Sequence, residues 1–247
     1  MAISVSVVGC GEAFDNHLPN TSMLVEAESG RLLLDCGYNV PQRIWEMAPD
    51  PNSIDLVYLS HPHADHYFGM APLLVRMWED KRTAPLTIVS QKPLLEDLQR
   101  LLEFGYRGIA ARFAFPIEYL EAHPEMPIEW RDWTMRFAPT RHSVTNLAIR
   151  LEHGASSVSY SGDGLYTPES AKLYEGVGLL IHEAYDFETS PIHGDIAGVL
   201  AVAADRMVAR TALVHVRRAL RASPKRILDR IAETGASLPN PGDRFEV

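Results

Sequence analysis

Four metal-capable side chains fall within six residues at His61-Pro62-His63-Ala64-Asp65-His66, and no other stretch of this 247-residue chain constrains it as strongly. Imidazoles and a carboxylate at this density form a donor set that suits zinc, manganese or iron better than a thiolate site would. Residues 54–60, just before it, are apolar and read as a buried strand, while from Phe68 onward the apolar residues recur with helical periodicity. The run therefore sits on a strand-to-helix turn. There His61 and His63 can project to one side and Asp65 and His66 to another, so one short loop can serve two adjacent ions. The lesser reading is a polar loop whose histidines only cap the next helix. A metal-dependent hydrolase is the first functional hypothesis.

Residues 3–9, 22–27, 31–35 and 54–60 read as strands, with a short helix over 41–47. A helix is expected over 65–79, a strand over 86–90 and a helix over 93–104. Residues 117–160 read mostly as strand, broken at His123-Pro124, Ala138-Pro139 and His153-Gly154, and are expected to form a second sheet. Then come a helix over 168–175, a strand over 178–182, a helix over 195–207, a strand over 211–216, and a helix opened by Ser223-Pro224. Two mixed β-sheets with helices on their outer faces predict an α/β, four-layer αββα sandwich. No linker, repeat or low-complexity tract divides residues 1–247, so a single domain is expected. The stretch 68–78 reads as a helix facing the core, with a pocket wall or a homodimer contact as its alternatives.

A net charge of -9 argues against a large phosphate-binding surface and disfavours a long RNA partner. The basic residues Arg206, Arg210, Arg217, Arg218, Arg221, Lys225, Arg226 and Arg230 read as a solvated helix face. Cys10 and Cys36 are too few for a disulfide framework and read as small buried thiols. The first residues are too short and uncharged at the front for a signal peptide, and no segment is apolar enough to span a bilayer. A soluble, cytoplasmic protein without a membrane partner is the expectation.

Further ligand candidates stand out by their position at strand ends. His142 follows a strand and the Pro139 break; Asp163 lies between two glycines in Ser161-Gly162-Asp163-Gly164; His215 falls near the end of 211–216. Glycine removes bulk where backbone and metal must approach. His17, His123 and His153 read instead as surface or loop residues.

These residues together resemble the metallo-β-lactamase superfamily, whose run of two histidines, an aspartate and a histidine is matched by His61, His63, Asp65 and His66. Val8-Gly9-Cys10-Gly11, Asn20-Thr21-Ser22 and Leu33-Leu34-Asp35-Cys36-Gly37 support the likeness. The resemblance implies a dinuclear centre of two divalent ions, zinc first, with manganese or iron as alternatives. One ion would take His61, His63 and His142, the other Asp65, His66 and His215, with Asp163 shared and Asp35 orienting a ligand histidine. Within the superfamily, Leu180-Ile181-His182-Glu183-Ala184 followed by His193 is most similar to the ribonuclease Z-like phosphodiesterase branch. Tyr185 and Gly194-Asp195 depart from that branch's threonine and serine-threonine. The likeness implies hydroxide attack on a phosphodiester, with Asp65 as ligand and partner of the hydroxide and His193, steadied by Glu183, as proton donor. The missing glycine- and lysine-rich arm favours a small substrate such as a cyclic nucleotide. A lactonase, thioesterase or other carbonyl-ester hydrolase is the alternative, and ribonuclease Z-type RNA processing the third reading.

Overall fold

Along the first strands both alternating faces are apolar, which is what a sheet covered on two sides requires. Val5, Val7, Met23, Val25, Leu32, Leu34, Leu56 and Tyr58 point toward a facing sheet. Val8, Leu24, Leu33, Val57 and Ile88 point the other way, into a layer of helices. A computed structural model describes residues 2–247. Its first half runs β1 (Ser4–Gly9), β2 (Ser22–Ala27), β3 (Gly30–Leu34), α1 (Val40–Met47), β4 (Leu56–Tyr58), α2 (Ala64–Tyr67), α3 (Met70–Glu79), β5 (Leu86–Ser90), α4 (Lys92–Gly105) and β6 (Ile117–Glu121). The second half runs β7 (Ile128–Trp130), β8 (Trp133–Pro139), β9 (Leu147–His153), β10 (Ser156–Tyr160), α5 (Pro168–Leu173), β11 (Leu179–Glu183), α6 (Ile196–Asp205), β12 (Thr211–Val214), α7 (Arg218–Arg221), α8 (Lys225–Ile231), β13 (Ala236–Ser237) and β14 (Arg244–Glu246).

The strands form two seven-stranded mixed sheets, ordered β14-β1-β2-β3-β4-β5-β6 and β13-β12-β11-β10-β9-β8-β7. Their inner faces share one apolar core, and helices cover each outer face, giving the expected αββα sandwich. In the first sheet β3, β4, β5 and β6 are parallel, and in the second β10 to β13 are parallel while β8 and β10 each run antiparallel to the intervening β9. The ends of β3, β4, β8, β10, β11 and β12 therefore meet along one rim. The rim is stitched across the sandwich: the Tyr58 hydroxyl donates to the Leu147 carbonyl at 2.6 Å, and the His215 N–H to the Cys10 carbonyl at 3.0 Å.

Four expectations are corrected. The second sheet begins at β7, because β6 pairs in parallel with β5 and closes the edge of the first sheet. The helix expected over 65–79 is two helices, broken at Phe68-Gly69. The cause is contact: Gly69 donates its N–H to the Cys36 carbonyl at 2.9 Å, and a Cβ there would lie 2.1 Å from the Gly37 carbonyl oxygen. His153 is buried against the Trp133 ring at 4.9 Å, not on the surface. The basic cluster is only partly a solvated face. Arg217 pairs with Asp186 at 3.0 Å, Arg218 with the buried Glu12, and Arg221 donates to Pro239 and Asn240. As expected, both cysteines are buried and free, and the inner side of α3 (Met70, Ala71, Leu73, Leu74, Met77) packs on the sheet. Among the described residues no helix is long and apolar enough to cross a membrane.

Arg82, in the turn between α3 and β5, is fully buried and donates to the carbonyls of Ala84, Pro51, Ile54 and Pro85 at 2.6–2.9 Å. Removing the guanidinium empties a buried site and leaves four carbonyls, that of Ile54 buried and the others part-buried, without their donor. Arg82→Ala is expected to lower stability by about 3–5 kcal/mol in urea unfolding.

Candidate metal centre

Each donor in the centre is aimed by a partner outside it. Asp35 directly follows β3 in the left-handed backbone region, with φ 58°, which is uncommon for a residue with a side chain. Its fully buried carboxylate accepts from the Ser60 N–H, the Ser60 hydroxyl, the His66 Nδ1–H and the Tyr160 hydroxyl, all at 2.7 Å. Because the Ser60 proton is committed to Asp35, Ser60 Oγ can only accept at its 2.9 Å contact with His61 Nδ1. That fixes the His61 proton on Nδ1 and leaves Nε2 as a lone pair. In the same way His142 donates from Nδ1 to the Ile192 carbonyl at 2.8 Å, leaving its Nε2 free.

Both free nitrogens converge on His63 Nδ1, at 3.0 Å from His61 and 3.1 Å from His142. A single proton on Nδ1 could satisfy one of these lone pairs, not both. Three imidazole nitrogens so arranged fit a cation between them. His61, His63, His142 and Asp163 offer donor atoms within 4.8 Å of one another, and Asp65, His66, Asp163 and His215 form a second such set. In the second set the buried His66 Nε2 has no hydrogen-bond partner, and His215 Nε2 lies 3.3 Å from both Asp65 Oδ2 and Asp163 Oδ2. The residues present thus fit two divalent ions, with Asp163 in both sets. The two thiols lie outside these sets, and burial pushes Cys10 up to about 11, away from a ligating thiolate.

Local sequence explains the aim. Gly162 takes φ 59°, and a Cβ there would lie 2.2 Å from Asn146 Oδ1, so the turn before Asp163 needs glycine. Asn146 clamps the neighbouring loops: its amide donates to Thr140 Oγ1 at 2.7 Å and to the Ser161 carbonyl at 2.8 Å, and its Oδ1 accepts from the Asp163 N–H at 3.2 Å.

Glu183 ends β11 fully buried, accepting from the Gly164 and Gly194 N–H groups and bonding His193 Nδ1. With Nδ1 held there, Nε2 is the ring atom left to work in the cavity that His193 lines. Burial opposes a charge on His193, but the hydrogen bond and charge of Glu183 outweigh it and hold the ring above its ordinary titration range. Tyr185 stacks on the His193 ring at 4.7 Å and 23°. The cavity, about 330 Å³, also has His63, Asp65, His142, Asp163 and His215 in its wall.

All residues expected from the sequence at the centre are therefore gathered at one rim. Sequence reasoning passed over Tyr160, Ser60 and Asn146. Ser60 adjoins the histidine run and was within reach of inspection; Tyr160 and Asn146 carry no local signal, because their partners are distant in the chain.

A family model for the anti-Pycsar protein Apyc1 matches residues 3–227. The chain belongs to the anti-Pycsar protein Apyc1 family. A ribonuclease Z from Mycobacterium sp. (strain KMS) is 29% identical to this Apyc1-family chain over 195 residues, 74% of this chain and 68% of that protein. The metallo-β-lactamase fold protein YhfI of Bacillus subtilis superposes with a TM-score of 0.84 at 21% identity, covering 100% of this chain and 99% of that one. The short form of human tRNase Z superposes at 0.79 with 16% identity, covering 98% of each chain. The metallo-β-lactamase fold and the likeness to ribonuclease Z read from the sequence both hold for this Apyc1-family member.

Proton competition at the centre gives a measurable consequence. Burial opposes a charge on His215, but Asp163, a hydrogen bond to Asp65, and Glu183 together outweigh it and raise its pKa to about 9. An ion entering the second set must displace that proton, so affinity should keep rising between pH 7 and 9. Zinc titration against a chelator of known pH dependence is expected to show this; a plateau above pH 7 would contradict it.

Proposed function

We propose that this chain is a metal-dependent phosphodiesterase acting on a small, nucleotide-type phosphodiester. The observation that carries the reading is the Glu183–His193 pair beside the two donor sets, within 4.8 Å of Asp163. Zinc is the proposed ion in both sets: His61, His63, His142 and Asp163 hold one, Asp65, His66, Asp163 and His215 the other. Divalent ions there would activate a water and offset charge building on a phosphoryl group. His193 Nε2 then supplies the proton that a departing alkoxide needs, and Glu183 keeps the ring charged and oriented. Asp65 lines the cavity, its carboxylate hydrogen-bonded to His215 Nε2 at 3.3 Å, and would steer the attacking oxygen as well as ligate.

A thioester expels a thiolate that leaves without that proton, so the pair favours phosphodiester over thioester chemistry; a lactone's alkoxide would use the proton too, and the substrate panel separates that class. The net charge of -9 and a cavity of about 330 Å³ support a small molecule over a long RNA. Zinc-loaded protein assayed in parallel on bis(p-nitrophenyl) phosphate, cyclic nucleotides, a lactone and a precursor transfer RNA tests the reading. Turnover of the small diesters should lead. Preference for the lactone would move the assignment to the carbonyl-ester class, and preference for the RNA to tRNA processing.

A further inference from the structure

The mouth of this cavity carries a lip between β1 and β2 that is tied down more firmly than its exposure explains. Glu12 opens it, only 2% exposed. Its Oε1 takes the Arg218 guanidinium from α7 at 2.5 Å, and its Oε2 accepts the backbone N–H of Phe14 at 2.8 Å. From the other side the Tyr38 hydroxyl donates to the Ala13 carbonyl. Asp15 Oδ1 accepts the N–H groups of His17 at 2.8 Å and Leu18 at 3.0 Å, and Gly11 donates to the Pro19 carbonyl at 2.8 Å, closing the loop at its base.

A loop fixed this way would ordinarily turn its apolar side chain inward. Phe14 is instead 75% exposed, and its ring lines the cavity mouth with Tyr38 and Tyr185. Burying the Glu12 carboxylate requires the Arg218 partner to offset desolvation. In return its second oxygen fixes the backbone of an exposed phenyl ring, which does nothing for the core. The arrangement makes sense for binding: the backbone that carries the ring is held before a ligand arrives, so little loop-ordering cost falls on association. The cavity is also chemically split, with imidazoles and carboxylates on its floor and aromatic rings at its rim. A phosphate reaching the floor would direct an attached planar group toward the rim, which Phe14 helps to line.

We infer that Phe14 is the stacking platform for the planar base of a nucleotide-type substrate, with Glu12 as the residue that positions it. The inference rests on the phosphodiesterase reading of the cavity. Aromatic faces stack on any base, so the platform confers affinity for base-bearing ligands with little choice among bases.

The test uses zinc-loaded protein and 2-aminopurine riboside 5′-monophosphate, a monoester whose fluorescence is quenched when its base stacks. Quenching on binding is expected in the wild type. Phe14→Ala should abolish the quench and weaken binding about 5- to 100-fold, the size of one base–aromatic stack. Phe14→Tyr should restore both, and ribose 5-phosphate, which lacks a base, should bind all three alike. Glu12→Ala should weaken the base-bearing ligand while sparing ribose 5-phosphate, a split that a general loss of fold would not produce. Unquenched binding in the wild type, equal affinity after Phe14→Ala, or a changed oligomeric state in place of changed base affinity would each overturn the platform. If small diesters are still hydrolysed in that case, the platform alone has failed; if only carbonyl esters turn over, the phosphodiesterase reading has failed with it.

Discussion

Asp163→Asn is expected to cut hydrolysis of small diesters by roughly 10⁴-fold, equivalent to about 5–6 kcal/mol of lost transition-state charge stabilisation. Asp163 is the only residue present in both four-residue donor sets among the described residues, with Oδ1 3.4 Å from His66 Nε2 and Oδ2 3.3 Å from His215 Nε2 and 3.8 Å from His61 Nε2. Asparagine keeps the shape but replaces one oxygen and removes the charge that would bind the two proposed cations at once. Bound zinc should fall from two equivalents to one or none. The fold should survive. Asp163 faces His66 and His215, which favour its charge, so the metal-free variant loses some stability, but Gly162 and Asn146 still define the turn. The control is thermal: zinc should raise the wild-type melting temperature by mass action and raise that of the variant far less. A variant that keeps two equivalents of zinc and most of its turnover would remove Asp163 from the bridge and undo the dinuclear assignment.

The sequence made the centre's residues legible because metal-capable side chains at strand ends are rare and chemically specific. Asp35 could be placed beside a ligand histidine by likeness alone, but its four donors could not, since Ser60 and Tyr160 reach it from positions 25 and 125 residues away. The layered fold was legible for a related reason. A strand covered on both faces puts consecutive apolar residues side by side, as Met23-Leu24-Val25, Leu32-Leu33-Leu34 and Leu56-Val57-Tyr58 do. What the run cannot show is which sheet a strand joins: β6 has the same look as the strands after it, and only pairing with β5 assigns it. The break at Gly69 was hidden too, because helical periodicity continues across it and the reason is Gly37, which is distant in the chain. Glu12 and Phe14 carry no motif. Their meaning comes from Arg218, which lies more than 200 residues away and by sequence alone reads as part of a solvated face.

Replacing His193 separates proton donation from the rest of the centre. His193→Ala should lower kcat for alkyl diesters such as cyclic nucleotides by about 10²–10⁴-fold, the ordinary contribution of a positioned general acid. Bis(p-nitrophenyl) phosphate should be nearly unaffected, since nitrophenolate leaves without help. The donor sets do not depend on His193: His61 and His142 are oriented by Ser60 and Ile192, and His66 by Asp35. Zinc content should therefore stay at the wild-type level, and equal loss on both substrates would contradict the role. The pH profile adds a second arm. Glu183 raises the His193 pKa, so the group stays protonated, and the acid function stays present, until pH climbs through that raised value. Glu183→Gln removes the charge and should move the alkaline limb of kcat/KM for alkyl diesters to lower pH, toward the ordinary imidazole range near 6.5. The sign is decisive: a carboxylate acting as the base would lose activity on the acid side instead. An alkaline limb that stays in place after Glu183→Gln, with His193 intact and zinc bound, would mean that the proton comes from elsewhere.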